Sequence, residues 1–295
     1  MITKTPGPAK LLLLSSGLDR LAAPLNPGEA AELEGLPDDM DSFDPDNPKP
    51  ADIIVCGRVS STFDLAWRLH ELQTLPDWGA ILALTQEAGR GQLRRPWHSP
   101  AGNLHVSFRL PEKTIFSGPS ASVILALLLL EAFAELGLSL KIKWPNDLVL
   151  KNGGGYGKLG GILLEERGGV MLAGLGINCR HLPPPGMLRE DASLPPARLP
   201  EGFAWKTPLR LWSKLAENIK TVYKGFLNSP PADLPGRAEA RLLWLRRDIR
   251  LTDGERSISG EFIGLSPRGG LILRPHGAYE RGAREFTSGG IALLQ

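Results

Sequence analysis

The chain has 295 residues, 42% of them apolar and 22% charged, and a net charge of +2. That is room for one large domain and a smaller one, and the composition excludes a low-complexity or disulfide-stapled chain. Charge is uneven: residues 1–50 hold four basic and nine acidic side chains, leaving +7 for the remainder, which suits an anionic ligand or an acidic partner protein and does not by itself indicate nucleic acid.

Residues 1–50 read as an acidic, proline-rich tail, largely disordered, because few large apolar residues recur there at a fixed period. Lys10–Ser15 is its one short strand candidate. No pair of amphipathic helices is present that could read DNA. The body begins near Asp52 with a strand over Ile53–Val59, then a helix over Thr62–Leu72 that Ser60, Ser61 or Thr62 can cap. Ala80–Thr85 and Leu104–Arg109 are strand candidates, and Ser120–Leu136 is a long apolar helix stopped by Gly137. Lys141–Trp144 with Leu148–Leu150, Leu159–Glu165 and Val170–Leu175 are separated by glycine-rich turns, the pattern of an antiparallel meander.

The proline-rich stretch from Cys179 to Glu201 is expected as a surface loop. Leu209–Leu227 is amphipathic and helical, with a short helix expected over Gly236–Leu245. Short β runs at Asp248–Leu251, Ser257–Leu265, Gly270–Arg274 and Ala283–Leu294 suggest a small β-barrel. The expected units are thus a tail (1–50), a main domain (51–245) and a C-terminal barrel (246–295). The longest apolar run, Ala121–Leu130, is too short to cross a bilayer, and Leu11–Leu14 is too short for a signal segment. Cys56 and Cys179 read as buried thiols. The expectation is a cytoplasmic protein with no membrane association.

Three stretches carry chemistry. In Gln86–Trp97, Gly89 and Gly91 let backbone N–H groups approach a ligand, while Arg90, Arg94 and Arg95 supply fixed positive charge. The stretch is either an anion-holding loop or a solvated basic turn. Lys143-Trp-Pro-Asn-Asp147 is turn chemistry that could put Lys143 on a phosphate and Asp147 on magnesium or a nucleotide. Lys158 enters an apolar strand, either guarding a sheet edge or pointing into a pocket to neutralise a carboxylate.

Together and in this order, these stretches resemble the biotin protein ligase family. That family carries a G-R-G-R-x-G-R-x-W loop, then K-W-P-N-D, K-L-x-G-I-L-x-E and G-x-G-I-N. The counterparts here are Gly89–Trp97, Lys143–Asp147, Lys158–Glu165 and Gly174–Asn178, with Ser61-Thr62 at a biotin-contact position, Asp191-Ala-Ser-Leu194 like an A-T-S-L segment, and Thr287–Leu293 like the family ending. The resemblance covers roughly residues 52–295. It implies an α+β fold, a mixed or antiparallel sheet packed by helices as in class II aminoacyl-tRNA synthetases, followed by the small barrel.

It also implies an ATP-dependent enzyme that adenylates biotin and passes it to a lysine of a carboxylase's biotin-carrier domain. ATP and magnesium are the implied cofactors, and a monomer or homodimer the implied state. Arg90, Lys158 and Lys143 would be catalytic. Ser61, Thr62, Gln86, Arg90, Lys158 and Gly161 would hold biotin. Gly89, Gly91, Arg94, Arg95, Trp97, Asn146, Asp147 and Asn178 would hold the nucleotide, with Asp147 also placing magnesium. A lipoate or octanoate ligase, or a non-catalytic biotin-binding relative, is the alternative. The sequence departs from the pattern at Gln92 in place of the loop's second arginine, at Arg94 in place of its third glycine, at Phe63 in place of asparagine and at Gly290 in place of glutamate. The family's second arginine helps to retain the adenylate, so Gln92 implies a leakier site.

Overall fold

The computed structural model describes residues 11–14, 41–43, 52–112, 114–116, 118–187, 193–205, 207–228, 234–277 and 282–294. Its frame is a nine-stranded mixed sheet. In chain order the strands are β1 (Leu11–Leu14), β2 (Asp41–Phe43), β3 (Ile53–Val59), β4 (Ala80–Gln86), β5 (Leu104–Arg109), β6 (Leu140–Lys143), β7 (Asp147–Asn152), β8 (Gly155–Arg167) and β9 (Val170–Ile177). Across the sheet they run β2-β1-β3-β4-β5-β9-β8-β7-β6. The first four are parallel, and the meander expected from residue 141 onward is antiparallel throughout.

Helices cover both faces. Helix α1 (Thr62–Glu71) starts where Ser61 leaves an extended conformation and its side chain accepts from the Phe63 N–H, satisfying one of the donors a helix start leaves orphaned. Its apolar residues Leu65, Ala66 and Leu69 bury against Ile54, Cys56, Ile81 and Ala83 on one face of the sheet. On the other face, α2 (Ala121–Glu135) is apolar on nearly every side and is buried between the sheet and α3 (Pro208–Leu227), which buries Leu211, Leu215, Ile219 and Phe226 at helical spacing. A short helix, α4 (Leu234–Glu239), begins and ends earlier than the expected 236–245.

The remaining strands, β10 (Asp248–Asp253), β11 (Arg256–Leu265), β12 (Leu271–Pro275), β13 (Arg284–Phe286) and β14 (Gly290–Leu293), form an antiparallel sheet in the order β13-β12-β11-β10-β14. No ladder joins β13 to β14 among the described residues, so the structure shows an antiparallel sheet where a small barrel was expected, and no closed barrel. Its apolar face has another outlet: Ile249, Leu251, Phe262, Leu265, Leu271, Leu273 and Ile291 join the core that holds α2 and α3. Closure is not needed to keep these side chains from water. Trp144 pins the two sheets together by donating from its indole to the Gly269 carbonyl at 3.0 Å.

Two other stretches differ from expectation. Within 1–50, the Leu11–Leu14 strand is as read, but Asp41–Phe43 also pairs into the sheet; the rest of the segment lies outside the described residues, as do 191 and 192 of the Asp191–Leu194 motif. The proline-rich stretch before Glu201 is not all surface loop. Ala197 and Leu199 are buried, and backbone hydrogen bonds from Lys158 to Pro195 and from Ala197 to Lys158 lay it along β8.

Candidate active site

The α1 face of the sheet carries a polar strip beyond the end of that helix. In register across four strands, Asp147 of β7 lies opposite Gly161 of β8, Gly161 opposite Gly176 of β9, and Gly176 opposite His105 of β5. At one end of this row sits a charge cluster. The Asp147 carboxylate receives the Lys158 ammonium at 2.6 Å on one oxygen and the Lys143 ammonium at 3.1 Å on the other. Burial pushes the Asp147 pKa up, but the two ammonium groups outweigh it and hold the carboxyl below its ordinary value. Two cations thus share one anion, leaving a surplus positive charge in a covered place. The Trp144-Pro145 bond is cis, and Asn146 braces the turn by donating to the Ile162 carbonyl at 2.7 Å.

The floor beside the cluster is glycine, and Trp97 lies on it. A Cβ at Gly176 would fall 2.6 Å from the indole nitrogen of Trp97, and one at Gly161 would meet both Trp97 and Lys158 at 3.8 Å. Only Gly176 is thereby forced to lack a side chain. Lys158 stands 5.5 Å over the Trp97 ring. Phe63 covers Gly174 in the same way, its Cζ 2.8 Å from where a Cβ would sit.

Behind the strip runs a chain of hydrogen bonds. The Thr62 N–H donates to Gln86 Oε1 at 2.9 Å, Thr62 Oγ1 is 2.7 Å from Ser107 Oγ, and Gln86 Nε2 donates to Ser99 Oγ at 2.8 Å. Gly89 is required here: a Cβ would lie 2.6 Å from Ser99 Oγ and 2.7 Å from the Trp97 carbonyl. Neutral hydrogen-bonding groups and a pair of ammonium groups thus lie on the same face of the sheet, with Trp97 packed on the glycines beside the ammonium groups. That combination of donors suits a ligand with a neutral polar group and an anion.

Residues 55–181 match the model of the biotin/lipoate A/B protein ligase family. A biotin--[acetyl-CoA-carboxylase] ligase of Paracoccus denitrificans is 33% identical over 229 residues, 71% of this chain and 90% of that one. The chain belongs to the biotin protein ligase family. The bifunctional ligase/repressor BirA of Escherichia coli (strain K12) is 29% identical over 71% of this chain and 65% of its own length. Among solved structures, a biotin protein ligase from Aquifex aeolicus in complex with biotin and ATP superposes with a TM-score of 0.65 at 29% identity, covering 82% of this chain and 98% of that one.

Against the ligase motifs, Lys143, Asp147, Lys158, Gly161 and Trp97 converge as the sequence suggests. Thr62 and Gln86 sit together, hydrogen-bonded to each other. Ser61 is 1% exposed and its hydroxyl serves as the α1 cap. Asn178 spans from β9 to the Ala197 carbonyl at 3.0 Å, which makes it a brace for the strand beside Lys158. Gly91 lies on a small hairpin whose exposed tip carries Gln92, Leu93, Arg94 and Arg95, so those two arginines stand clear of the charge cluster. Arg90 is apart from it as well, paired to Asp64 and Glu165. Magnesium does not fit Asp147 as a protein-held ion: both carboxylate oxygens are taken by ammonium groups, and no group of three or more His, Cys, Asp or Glu side chains able to hold a metal occurs among the described residues.

Three contributors escaped the sequence reading, Ser99, Ser107 and His105, while Gly176 was read only as part of the Gly174–Asn178 motif and given no role. For Ser107 and His105 a signal existed. Leu104–Arg109 alternates, and both fall on the side facing α1, where an ordinary strand would bury apolar groups.

Proposed function

We propose that this chain joins biotin to a lysine of a carrier domain in two steps, using ATP. In the first, a biotin carboxylate oxygen attacks the α-phosphorus of ATP, and the bond to the bridging oxygen breaks to release pyrophosphate. In the second, the neutral ε-amine of the acceptor lysine attacks the acyl carbon, AMP leaves with its phosphate oxygen, and the amine proton goes to solvent. Both steps gather negative charge on oxygen, so catalysis here is a matter of positioned cations and N–H donors. Magnesium enters as the counter-ion of the triphosphate.

The observation that carries this reading is the Lys143–Asp147–Lys158 cluster beside a glycine strip against which Trp97 packs. Lys158 suits the developing acyl-phosphate, Lys143 the phosphates, and Asp147 keeps both ammonium groups in place. Thr62 and Gln86 suit the neutral ureido end, where a ligand with its own donors and acceptors can enter their hydrogen-bond chain. Gly89 and Gly91 suit a backbone approach to the ligand. An acetyl-CoA-carboxylase carrier domain is the proposed acceptor.

The test is exchange of labelled pyrophosphate into ATP, with biotin, lipoate and octanoate as alternative acids, followed by transfer to a carrier domain. Biotin alone should drive exchange, and Lys158→Ala should lower kcat by about a hundredfold or more. Exchange driven by lipoate or octanoate instead, or none with any acid, removes the reading.

A further inference from the structure

Arg90 is the residue whose surroundings least match the role that the motif suggests. Its Nη2 donates to Asp64 Oδ1 at 2.8 Å and its Nε to Glu165 Oε1 at 3.2 Å, with the guanidinium 5.8 Å over the Phe63 ring. The two acids are themselves oriented. Asp64 accepts from Ser60 Oγ at 3.0 Å on its other oxygen, while Glu165 accepts from the Trp67 indole at 2.8 Å and from Arg167 at 3.4 Å. All three side chains are mostly covered, at 25%, 31% and 23% exposure. Glu165 lies four residues along β8 from Gly161, about 13 Å down the strand from the glycine beside Lys158.

Charge is therefore arranged differently at the two places. Two cations share one carboxylate around Asp147, whereas Asp64 and Glu165 both take the Arg90 guanidinium, with the more exposed Arg167 on the other oxygen of Glu165. With both of its acids engaged, the Arg90 guanidinium is held in the geometry of an anchor. Arg90 bridges to Pro96, the Gly91 N–H donates to Arg95 and the Trp97 N–H to Gly89, both at 2.8 Å. Residues 89–97 are thus a two-legged hairpin, and fixing Arg90 on one leg fixes Trp97 on the other.

We propose that Asp64 and Glu165 are positioning residues that hold Arg90 as the anchor of the 89–97 hairpin, so that its guanidinium seats Trp97 over the glycine floor and does not neutralise the ligand's anion. This rests on the ligase reading for its kinetic assay and not for its structural one. The two roles predict opposite signs. If Arg90 meets the ligand directly, freeing it from a competing carboxylate in Asp64→Asn leaves the KM for biotin unchanged or lowers it. As an anchor, it loses its hold on the hairpin and KM rises.

The measurements are made on the full chain, with thermal melts to confirm folding. Trypsin cleavage after Arg94, with no ligand present, should quicken about tenfold in Asp64→Asn and equally in Arg90→Lys, since a single ammonium cannot bridge two acids in the way a guanidinium does. The KM for biotin in pyrophosphate exchange should rise about tenfold in Asp64→Asn, and by no more when Asp64→Asn is added to Arg90→Ala, the non-additivity of residues acting through one contact. Glu165→Gln should repeat the pattern if Asp64→Asn fails to fold. Unchanged cleavage, an unchanged or lowered KM, or additive effects overturn the proposal. Absence of exchange in the unaltered protein removes the ligase reading, while the cleavage assay still decides the anchor.

Discussion

His105 shows how much a single side chain on the polar strip determines. It is 1% exposed and its Nε2 lies 3.0 Å from the Pro100 carbonyl. Burial pushes its pKa down to about 4, the Pro100 hydrogen bond opposes this, and His98 adds to it. The folded protein thus keeps the ring neutral where the unfolded chain takes up a proton. Between pH 6.5 and about 4 the unfolded state binds the extra proton, so stability is lost as pH falls through that window, by about 3 kcal/mol in all. Urea unfolding of His105→Gln should show a flatter dependence between pH 7 and pH 5 than the unaltered protein; identical curves would remove histidine as the cause. Gly176 is the complementary case. Gly176→Ala puts a methyl against the Trp97 indole and should raise the KM for biotin at least tenfold with little change in the melting temperature, because the ring can shift off the floor without disturbing a core. Of these two residues, the sequence marked neither as a site. It did mark Lys143, Asp147 and Lys158, because a lysine inside an apolar strand and a charged turn are locally odd. The acids that take Arg90 were not legible: an aspartate in the first turn of a helix reads as ordinary capping chemistry, and only the folded chain brings Glu165 to the same guanidinium.

At the scale of elements, periodicity was a good guide wherever a segment has one wet side and one dry side. The spans of α1, α3 and the antiparallel meander agree with their sequence patterns to within a few residues. It failed where apolar contacts are made one residue at a time. Pro195–Leu199 is held by three backbone hydrogen bonds and two buried side chains, which no period announces. Similarly, β2 is three residues long and pairs on one side only, too short for alternation to show. The start of α1 deserves a direct experiment because structure and function overlap there. Ser61→Ala removes the cap and should cost about 1 kcal/mol. As the same turn places Thr62 against Gln86, the KM for biotin should rise alongside. Ser61→Asn, which keeps a capping oxygen, should recover most of the stability; recovery of neither property would mean that the hydroxyl is not acting as a cap.

For the molecule as a whole, the decisive fact is that the core does not stop at the boundary the sequence suggests near residue 245. Side chains of β10, β11, β12 and β14 lie in the same apolar cluster as α2 and α3. Two packed sheets with a common interior should melt as one unit. Calorimetry should show a single transition with matching calorimetric and van't Hoff enthalpies, where an independent C-terminal domain would give two. Trp144→Phe, which deletes the hydrogen bond to Gly269 and leaves a cavity where the larger indole packed, should lower stability by about 2–3 kcal/mol without splitting that transition. Trp144 also has a neighbour of consequence, since it follows Lys143 directly in the chain. A lever resting on the second sheet therefore ends beside the Lys143 ammonium. Anything that tilts the far sheet, whether a docked protein or a distant replacement, should displace that ammonium and retune the phosphate affinity proposed for it.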